Sequence, residues 1–193
     1  MTVAATWLFT LLTLLCWVGV LVVALTDRGK AAVARPGVAV GIAASVTGTA
    51  TLGSLYLSEV AGYVPCELCW VQRIFMYSLA VITTTAVLRR RDDVFTYAVP
   101  LAALGLLTSV WHVIVQRAPA AGVTCDPTNP CSAIWVERLG FITIPVMAGT
   151  AFLVVLVLGV ALWGQRRSDV GATTSGETTT TPTPVHPLEE QAL

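Results

Sequence analysis

The chain has 193 residues, 55% of them hydrophobic and only 11% charged, and its formal net charge at pH 7 is zero. Soluble domains carry about 25% charged residues, so the composition excludes an ordinary water-soluble protein and predicts an all-α membrane protein. The balanced charge provides no basic surface for nucleic acid, and we expect no nucleic-acid partner.

Five segments, taken in chain order, are long and apolar enough to cross a bilayer, which requires about 20 residues. They cover residues 2–25, 37–60, 69–88, 94–115 and 142–163. The first lacks the basic start of a secretory signal peptide, which favours a retained helix over a cleaved leader. We predict an extra N-terminal transmembrane helix and cytoplasmic loop over 1–36, a four-helix transmembrane domain over 37–165, and a Thr- and Pro-rich disordered cytoplasmic tail over 166–193.

The basic residues cluster in segments that five spans would place on one face. Loop 26–36, loop 89–93 and the pair Arg166 and Arg167 hold most of the Lys and Arg residues. The positive-inside rule assigns this face to the cytoplasm. We therefore expect a multi-pass protein of the cell membrane with its N-terminus outside and its C-terminus inside. Each outer connection then carries a pair of cysteines.

The first cysteine pair, Cys66 and Cys69, stands where the third apolar segment begins. Two cysteines at this spacing can close a small redox disulfide, and a helix N-terminus stabilises a thiolate there. Arg73 lies one helical turn deeper, on the face of Cys69. A charge inside the membrane is costly and usually functional, so we expect Arg73 to stabilise a thiolate or a reduced, anionic acceptor.

The second pair, Cys125 and Cys131, brackets the turn-forming sequence DPTNP. A small exposed disulfide ring is open to attack by a partner thiol. A structural staple for the loop is the alternative for this pair. A zinc site shared by the two pairs is a further alternative, although the six-residue spacing is longer than zinc-binding pairs usually have.

Other residues near the outer face give weaker signals. His112, followed by Gln116, lies near the outer end of the fourth segment and either binds a ligand or packs at the interface. Residues 132–140 suggest a short helix on the membrane surface, and Cys16 suggests a buried apolar residue. With no haem, flavin or iron–sulfur pattern present, two cysteine pairs at the membrane border indicate electron transfer to a lipid-soluble quinone.

The segment PCELCWVQRIFMY resembles the signature of the disulfide bond protein B (DsbB) family, particularly its BdbC-like branch in Gram-positive bacteria and actinobacteria. That signature is PCxLC followed by an arginine, represented here by Cys66, Cys69 and Arg73. The stretch WHVIVQ and the passage from Cys131 into the last apolar segment are also similar to the family. The resemblance covers about residues 38–163.

The resemblance implies a DsbB-like four-helix bundle that acts as a quinone-dependent protein-disulfide oxidoreductase. Such proteins reoxidise an extracytoplasmic thioredoxin-fold (DsbA-like) thiol oxidase, whose thiolate would attack Cys125. Cys131 would then attack Cys66, and Cys69 would be released as a thiolate beside the quinone. The implied catalytic residues are Cys66, Cys69, Cys125 and Cys131, and the implied quinone-binding residues are Arg73, His112 and Gln116.

The chain departs from the family in its added N-terminal helix and in the close spacing of Cys125 and Cys131. Two other functions stay open: a relay running in the reducing direction, as in vitamin K epoxide reductase homologues, and a non-enzymatic structural or metal-binding membrane protein. A composition rich in Ala, Val and Arg but poor in Lys is typical of actinobacteria, which favours menaquinone over ubiquinone.

Overall fold

The computed structural model describes residues 2–91, 93–118, 125–126 and 128–176. These residues form six α-helices, one π-helical turn and a two-stranded hairpin. In chain order they are α1 (Thr2–Leu25), α2 (Asp27–Val33), α3 (Val38–Leu55) with the π-helical turn Tyr56–Val60, α4 (Glu67–Arg89), α5 (Phe95–Arg117), β1 (Glu137–Arg138), β2 (Ile142–Thr143) and α6 (Ile144–Gly176).

Within the described residues, five helices are long and apolar enough to cross a membrane, namely α1, α3 with its π-helical turn, α4, α5 and α6. The predicted all-α membrane architecture with five spans is therefore confirmed. Their lipid-facing surfaces are lined by exposed apolar side chains such as Leu15, Leu107 and Val160. Such exposure would be costly in water and is favourable in a bilayer, so the chain is a multi-pass membrane protein.

Helices α3 to α6 form a bundle whose core is closely packed. Phe95 and Phe152 are fully buried in it, together with Leu79. Gly105 on α5 lies directly against the Phe152 ring, where any side chain would collide with the ring. Small residues of this kind let membrane helices approach closely, because packing rather than hydrophobic exclusion drives association in lipid.

Helix α1 packs beside α6 and is held there by polar contacts. Trp17 Nε1 donates a hydrogen bond of 2.8 Å to Thr150 Oγ1 on α6. Near its N-terminal end, Thr6 Oγ1 accepts a hydrogen bond of 2.8 Å from the guanidinium of Arg138 in β1. The start of α1 therefore lies at the same end of the bundle as the hairpin.

The prediction of a surface helix over 132–140 is wrong. Glu137 and Arg138 pair in antiparallel fashion with Thr143 and Ile142, on either side of a tight turn. The turn residues Leu139 and Gly140 have φ values of 53° and 75°. Two successive residues in the left-handed conformation are incompatible with a helix and instead reverse the chain into a hairpin. Gly140 adopts this conformation without steric cost.

Helix α6 continues to Gly176, past the predicted end of the span at residue 163. The first part of the predicted disordered tail over 166–193 is thus helical in the structure. Gln and Arg have good helix propensity, so the helix does not end where the apolar run ends. Residues 177–193 of that tail lie outside the described residues.

Candidate active site

The helix-start pair is built by the N-terminus of α4. Cys66 is the N-cap residue with an extended backbone, and the helix begins at Glu67. This brings the Sγ atoms of Cys66 and Cys69 to 2.9 Å from each other, in hydrogen-bonding contact as free thiols. Cys66 is buried and Cys69 half-buried. The two sulfurs can thus exchange between dithiol and disulfide with little movement of the backbone.

The thiol of Cys66 is strongly acidic. Its pKa is lowered to about 4, chiefly by the hydrogen bond with Cys69 and also by contact with His112, while burial acts in the opposite direction. Cys66 immediately precedes the membrane-spanning part of α4. A cysteine with this pKa is a thiolate at neutral pH, and the thiolate is the form that takes part in disulfide exchange.

The loop pair forms a disulfide between Cys125 and Cys131. Its two sulfurs have different surroundings, because Cys131 is only 2% exposed whereas Cys125 is half-buried. Cys131 packs in one small cluster with Cys66 and Val115. Cys125 is therefore the more accessible of the two sulfurs, and Cys131 is the one buried beside the helix-start pair.

Two interactions shape this loop. Asp126 Oδ1 accepts hydrogen bonds from the backbone N–H and the hydroxyl of Thr128, at 2.8 and 2.7 Å, and these bonds lower the pKa of Asp126. Asn129 Nδ2 donates a hydrogen bond of 3.0 Å to the carbonyl oxygen of Pro65. Because Pro65 immediately precedes Cys66, this bond fastens the loop to the start of α4.

His112 contacts both cysteine pairs. The imidazole is 1% exposed, and its Nε2 lies 3.1 Å from the carbonyl oxygen of Cys131 and 3.7 Å from the Sγ of Cys66. A carbonyl oxygen only accepts, so Nε2 carries the proton, and Nδ1 accepts from the Gln72 amide at 3.1 Å. Gln72 thereby fixes the tautomer that points an N–H at the space between the pairs.

Arg73 is held on α4 by the end of α3. Its Nε donates to Ser54 Oγ at 2.9 Å, and another guanidinium nitrogen donates to the Ser54 carbonyl at 3.0 Å. The guanidinium also lies 5.2 Å from the centre of the Trp70 ring. The π-helical turn Tyr56–Val60 begins two residues after Ser54, and such turns occur frequently at functional sites.

A cavity of about 340 Å³ opens beside Cys69 and Arg73. Helices α1, α3, α4 and α6 line it with mostly apolar side chains, including Met76 and Met147. An apolar slot with a guanidinium donor beside a reactive sulfur has the chemistry that a quinone ring and its carbonyl oxygens require. The residues present therefore fit a quinone.

His112 and Gln116 do not line this cavity. They border a separate space of about 20 Å³ together with Cys66 and Cys69. Gln116 accepts a hydrogen bond of 3.0 Å from the Thr143 hydroxyl, and so ties α5 to the hairpin. Of the three residues predicted to bind the quinone, the structure places Arg73 at the large cavity and the other two at the small space beside Cys66 and Cys69.

The helix-start pair and His112 also resemble part of a metal site. The ligand atoms of Cys66, Cys69 and His112 all lie within 4.8 Å of one another. Zinc in structural sites takes four ligands, usually cysteines and histidines. In this structure Cys125 and Cys131 are bonded to each other, so they are not available to complete such a set.

Sequence reasoning missed three residues that position the site, namely Ser54, Gln72 and Asn129. Gln72 had a usable signal, because a polar residue within an apolar span usually has a function. Ser54 is one of many small polar residues along α3, and its contact with Arg73 depends on how two helices pack. The contact of Asn129 with Pro65 depends likewise on the tertiary fold.

A family model and curated relatives both identify the chain as similar to disulfide bond formation proteins. Residues 34–162 match the family model described as disulfide bond formation protein DsbB. A "probable disulfide formation protein" of Oceanobacillus iheyensis is 45% identical over 115 residues, which cover 56% of this chain and 77% of the relative. "Disulfide bond formation protein C" of Bacillus subtilis is 40% identical over 119 residues, 61% of this chain and 86% of the relative. No solved structure matches the chain.

Proposed function

The chain belongs to the DsbB family of disulfide bond formation proteins, in its BdbC-like branch, and we propose that it reoxidises an extracytoplasmic thioredoxin-fold thiol oxidase and passes the electrons to a membrane quinone. Family membership makes it a membrane thiol–disulfide oxidoreductase. The observation that carries the finer proposal is the contact of His112 with both cysteine pairs. Two redox pairs that share one histidine are arranged for exchange with each other.

The partner enters at Cys125. A thiolate of the partner attacks the Cys125 sulfur, the Cys125–Cys131 bond breaks, and Cys131 leaves as a thiolate. The greater exposure of Cys125 and the burial of Cys131 beside Cys66 support this direction of attack. The opposite order would require the partner to reach a sulfur that is 2% exposed.

Cys131 next attacks Cys66 in the oxidised helix-start pair, and Cys69 leaves as a thiolate. The partner's second thiolate then breaks the mixed disulfide and frees Cys125. Attack by Cys125 on Cys131 restores the loop disulfide and releases Cys66. The partner has been oxidised by two electrons, and Cys66 and Cys69 have been reduced.

A bound quinone would accept these two electrons, with two protons, as it becomes a quinol. Arg73 would direct its guanidinium toward a quinone oxygen, in the position that Ser54 fixes. The apolar walls of the cavity would keep water from the reacting sulfur of Cys69. We favour menaquinone on the composition of the chain.

The basic loops support an orientation in which both cysteine pairs face the outside of the cell membrane. The contact of Arg138 with Thr6 is consistent with this orientation, because it places the N-terminal end of α1 beside the cysteine-bearing face. The N-terminus is then outside and the C-terminus is cytoplasmic.

Trapping of the mixed disulfide tests the proposed entry point. In a Cys131→Ser variant Cys125 is a free thiol, so the thioredoxin-fold partner is supplied with its second cysteine replaced and its nucleophilic cysteine held as a mixed disulfide with thionitrobenzoate. Cys125 should attack the partner sulfur and release thionitrobenzoate, and the covalent complex should accumulate because no second thiol can resolve it. The matched Cys125→Ser variant should accumulate none. Complexes formed equally in both variants, or in neither, would contradict entry at Cys125.

The cluster of Cys66, Cys69 and His112 favours one second candidate function, metal binding. Zinc analysis of the reduced, purified protein distinguishes the two. Stoichiometric zinc that is bound by the wild type and lost from a His112→Phe variant would favour the metal. Less than one-tenth of an equivalent, about the level of a contaminant, would favour the oxidoreductase.

A further inference from the structure

We propose that α1 forms one wall of the quinone site and that Phe9 on this helix contributes to quinone affinity. The inference rests on the proposed function and adds a role for a helix that lies outside the family match, which starts at residue 34. It assigns a ligand-binding surface to a segment that the four-helix core does not contain.

The position of α1 is fixed at two levels. Trp17 is hydrogen-bonded to Thr150, and its ring stacks on Phe141 at 6.0 Å between centroids. Nearer the start of the helix, Arg138 binds the Thr6 hydroxyl and covers the Trp7 ring. These contacts set both the rotation and the depth of α1 against the bundle.

Phe9 lies at the depth of Arg73. A Cβ added at Gly53 would lie 2.9 Å from two atoms of the Phe9 ring, so the ring packs directly against the backbone of α3. The next residue, Ser54, holds the Arg73 guanidinium. Phe9 and Arg73 therefore line the same level of the cavity, and both are among its lining residues.

The α1 wall is apolar below Phe9 as well. Leu12, Thr13 and Cys16 also line the cavity. The Thr13 hydroxyl is engaged with the Phe9 carbonyl of its own helix at 2.8 Å, so it offers no free donor to a ligand. Polar recognition therefore comes from other walls of the cavity, including Arg73 on α4, and α1 supplies a surface for ring stacking and for an isoprenoid tail.

Removal of α1 would expose the cavity to lipid between α3 and α6. If only α3, α4 and α6 bounded the cavity, lipid acyl chains would contact the bound quinone on its open side. With α1 as a fourth wall, the quinone ring is enclosed by protein. Enclosure raises the apolar area that a ligand buries, and with it the affinity. We therefore expect α1 to act on quinone binding and not on thiol exchange.

The experiment compares Phe9→Ala with Leu15→Ala, a lipid-facing control on the same helix that is 66% exposed. A short-chain naphthoquinone is used as the probe, and its Kd is measured directly on the oxidised full-length protein in nanodiscs, which holds no electrons to transfer to it. For Phe9→Ala we expect Kd and KM to rise about three- to tenfold with kcat nearly unchanged, as loss of an aromatic contact predicts. Leu15→Ala should match the wild type.

Cys16→Phe provides a second variant, because it leaves Phe9 in place and fills the cavity from the same wall. It should also weaken binding of the naphthoquinone probe. The rate of electron transfer from Cys125–Cys131 to Cys66–Cys69, measured by thiol trapping, should stay at the wild-type value. Unchanged Kd in both variants would overturn the role of α1 and leave the proposed function standing. Failure of the wild type to bind the probe would overturn both.

Discussion

The Nε2 atom of His112 lies 3.1 Å from the carbonyl oxygen of Cys131 and thereby joins the loop pair to α5. The same nitrogen is 3.7 Å from the Sγ of Cys66, so one buried imidazole meets both redox pairs. Gln72 holds the opposite ring nitrogen. In the proposed relay, exchange between the two cysteine pairs would depend on this one side chain, and substitution of His112 can test it.

Replacement of His112 by Phe should slow exchange between the pairs. The variant loses the N–H that faces Cys131 and Cys66, and we expect the transfer rate to fall by about 100-fold, the low end for a positioned proton donor. Stopped-flow thiol trapping of single-turnover samples measures this rate. The neighbouring Trp111→Phe variant, at a 44% exposed position, is the control and should stay within about twofold of the wild type, as exposed substitutions generally do.

The low pKa of Cys66 predicts an unusual pH profile for alkylation. A thiol with a pKa of about 4 stays ionised as the pH falls from neutral, and becomes protonated only as the pH passes through that value. Alkylation of Cys66 should therefore be nearly flat from about pH 8 to pH 5.5, whereas an ordinary thiol slows about tenfold per pH unit. Mass spectrometry of the Cys66 peptide follows the reaction, in a Cys16→Ala background.

The His112→Phe variant provides the matching control for that profile. Since contact with His112 helps to lower the pKa of Cys66, its loss should move the midpoint of alkylation to higher pH. Equal profiles in the two proteins would show that the histidine does not influence the thiolate.

Ser54→Ala should loosen Arg73 without affecting the thiols. The guanidinium loses its bond to the Ser54 hydroxyl and keeps the one to the carbonyl, so we expect quinone KM to rise about three- to tenfold, the equivalent of about 1 kcal/mol for one hydrogen bond. Arg73→Gln should have the larger effect. Ser78→Ala, whose hydroxyl donates to the Ile74 carbonyl one turn earlier on its own helix, is the control. A normal KM in Ser54→Ala would contradict the positioning role.

Gly140→Val should destabilise the hairpin that supports α1. Gly140 has a φ of 75°, which a β-branched residue adopts only with strain, and we expect a loss of about 1–2 kcal/mol in unfolding free energy. Thermal unfolding in detergent measures the change. Gly41→Ala on α3 is the control, because nothing lies within 4 Å of its added Cβ, and the helix should tolerate it or gain stability.

The spans and the two cysteine pairs were predictable because each rests on a local pattern. A bilayer requires about 20 apolar residues, and CxxC at a helix start needs no tertiary information. Arg73 was predictable for the same reason, since its spacing from Cys69 determines its face. The structure brings the two cysteine pairs and Arg73 to the same end of the bundle.

The contacts between segments were not predictable from one sequence. His112 contacts both cysteine pairs because α5 packs against α4 and against the loop. The apolar periodicity of a helix does not determine its position relative to a neighbouring helix or loop. The hairpin at residues 137–143 is too short to show alternation, and its turn depends on a left-handed Leu139 that no propensity favours. The α1 wall of the cavity likewise exists only once the helices are assembled.

Quinone reduction by the purified protein tests the central claim most directly. Wild-type protein in nanodiscs is supplied with a reduced thioredoxin-fold partner and menaquinone, and quinol formation is followed beside the oxidation of the partner. We predict one quinol for each partner disulfide formed, and no quinol with either Cys66→Ser or Cys69→Ser. Full quinone reduction by both of these variants, or oxidation of the partner without quinol in the wild type, would contradict the account.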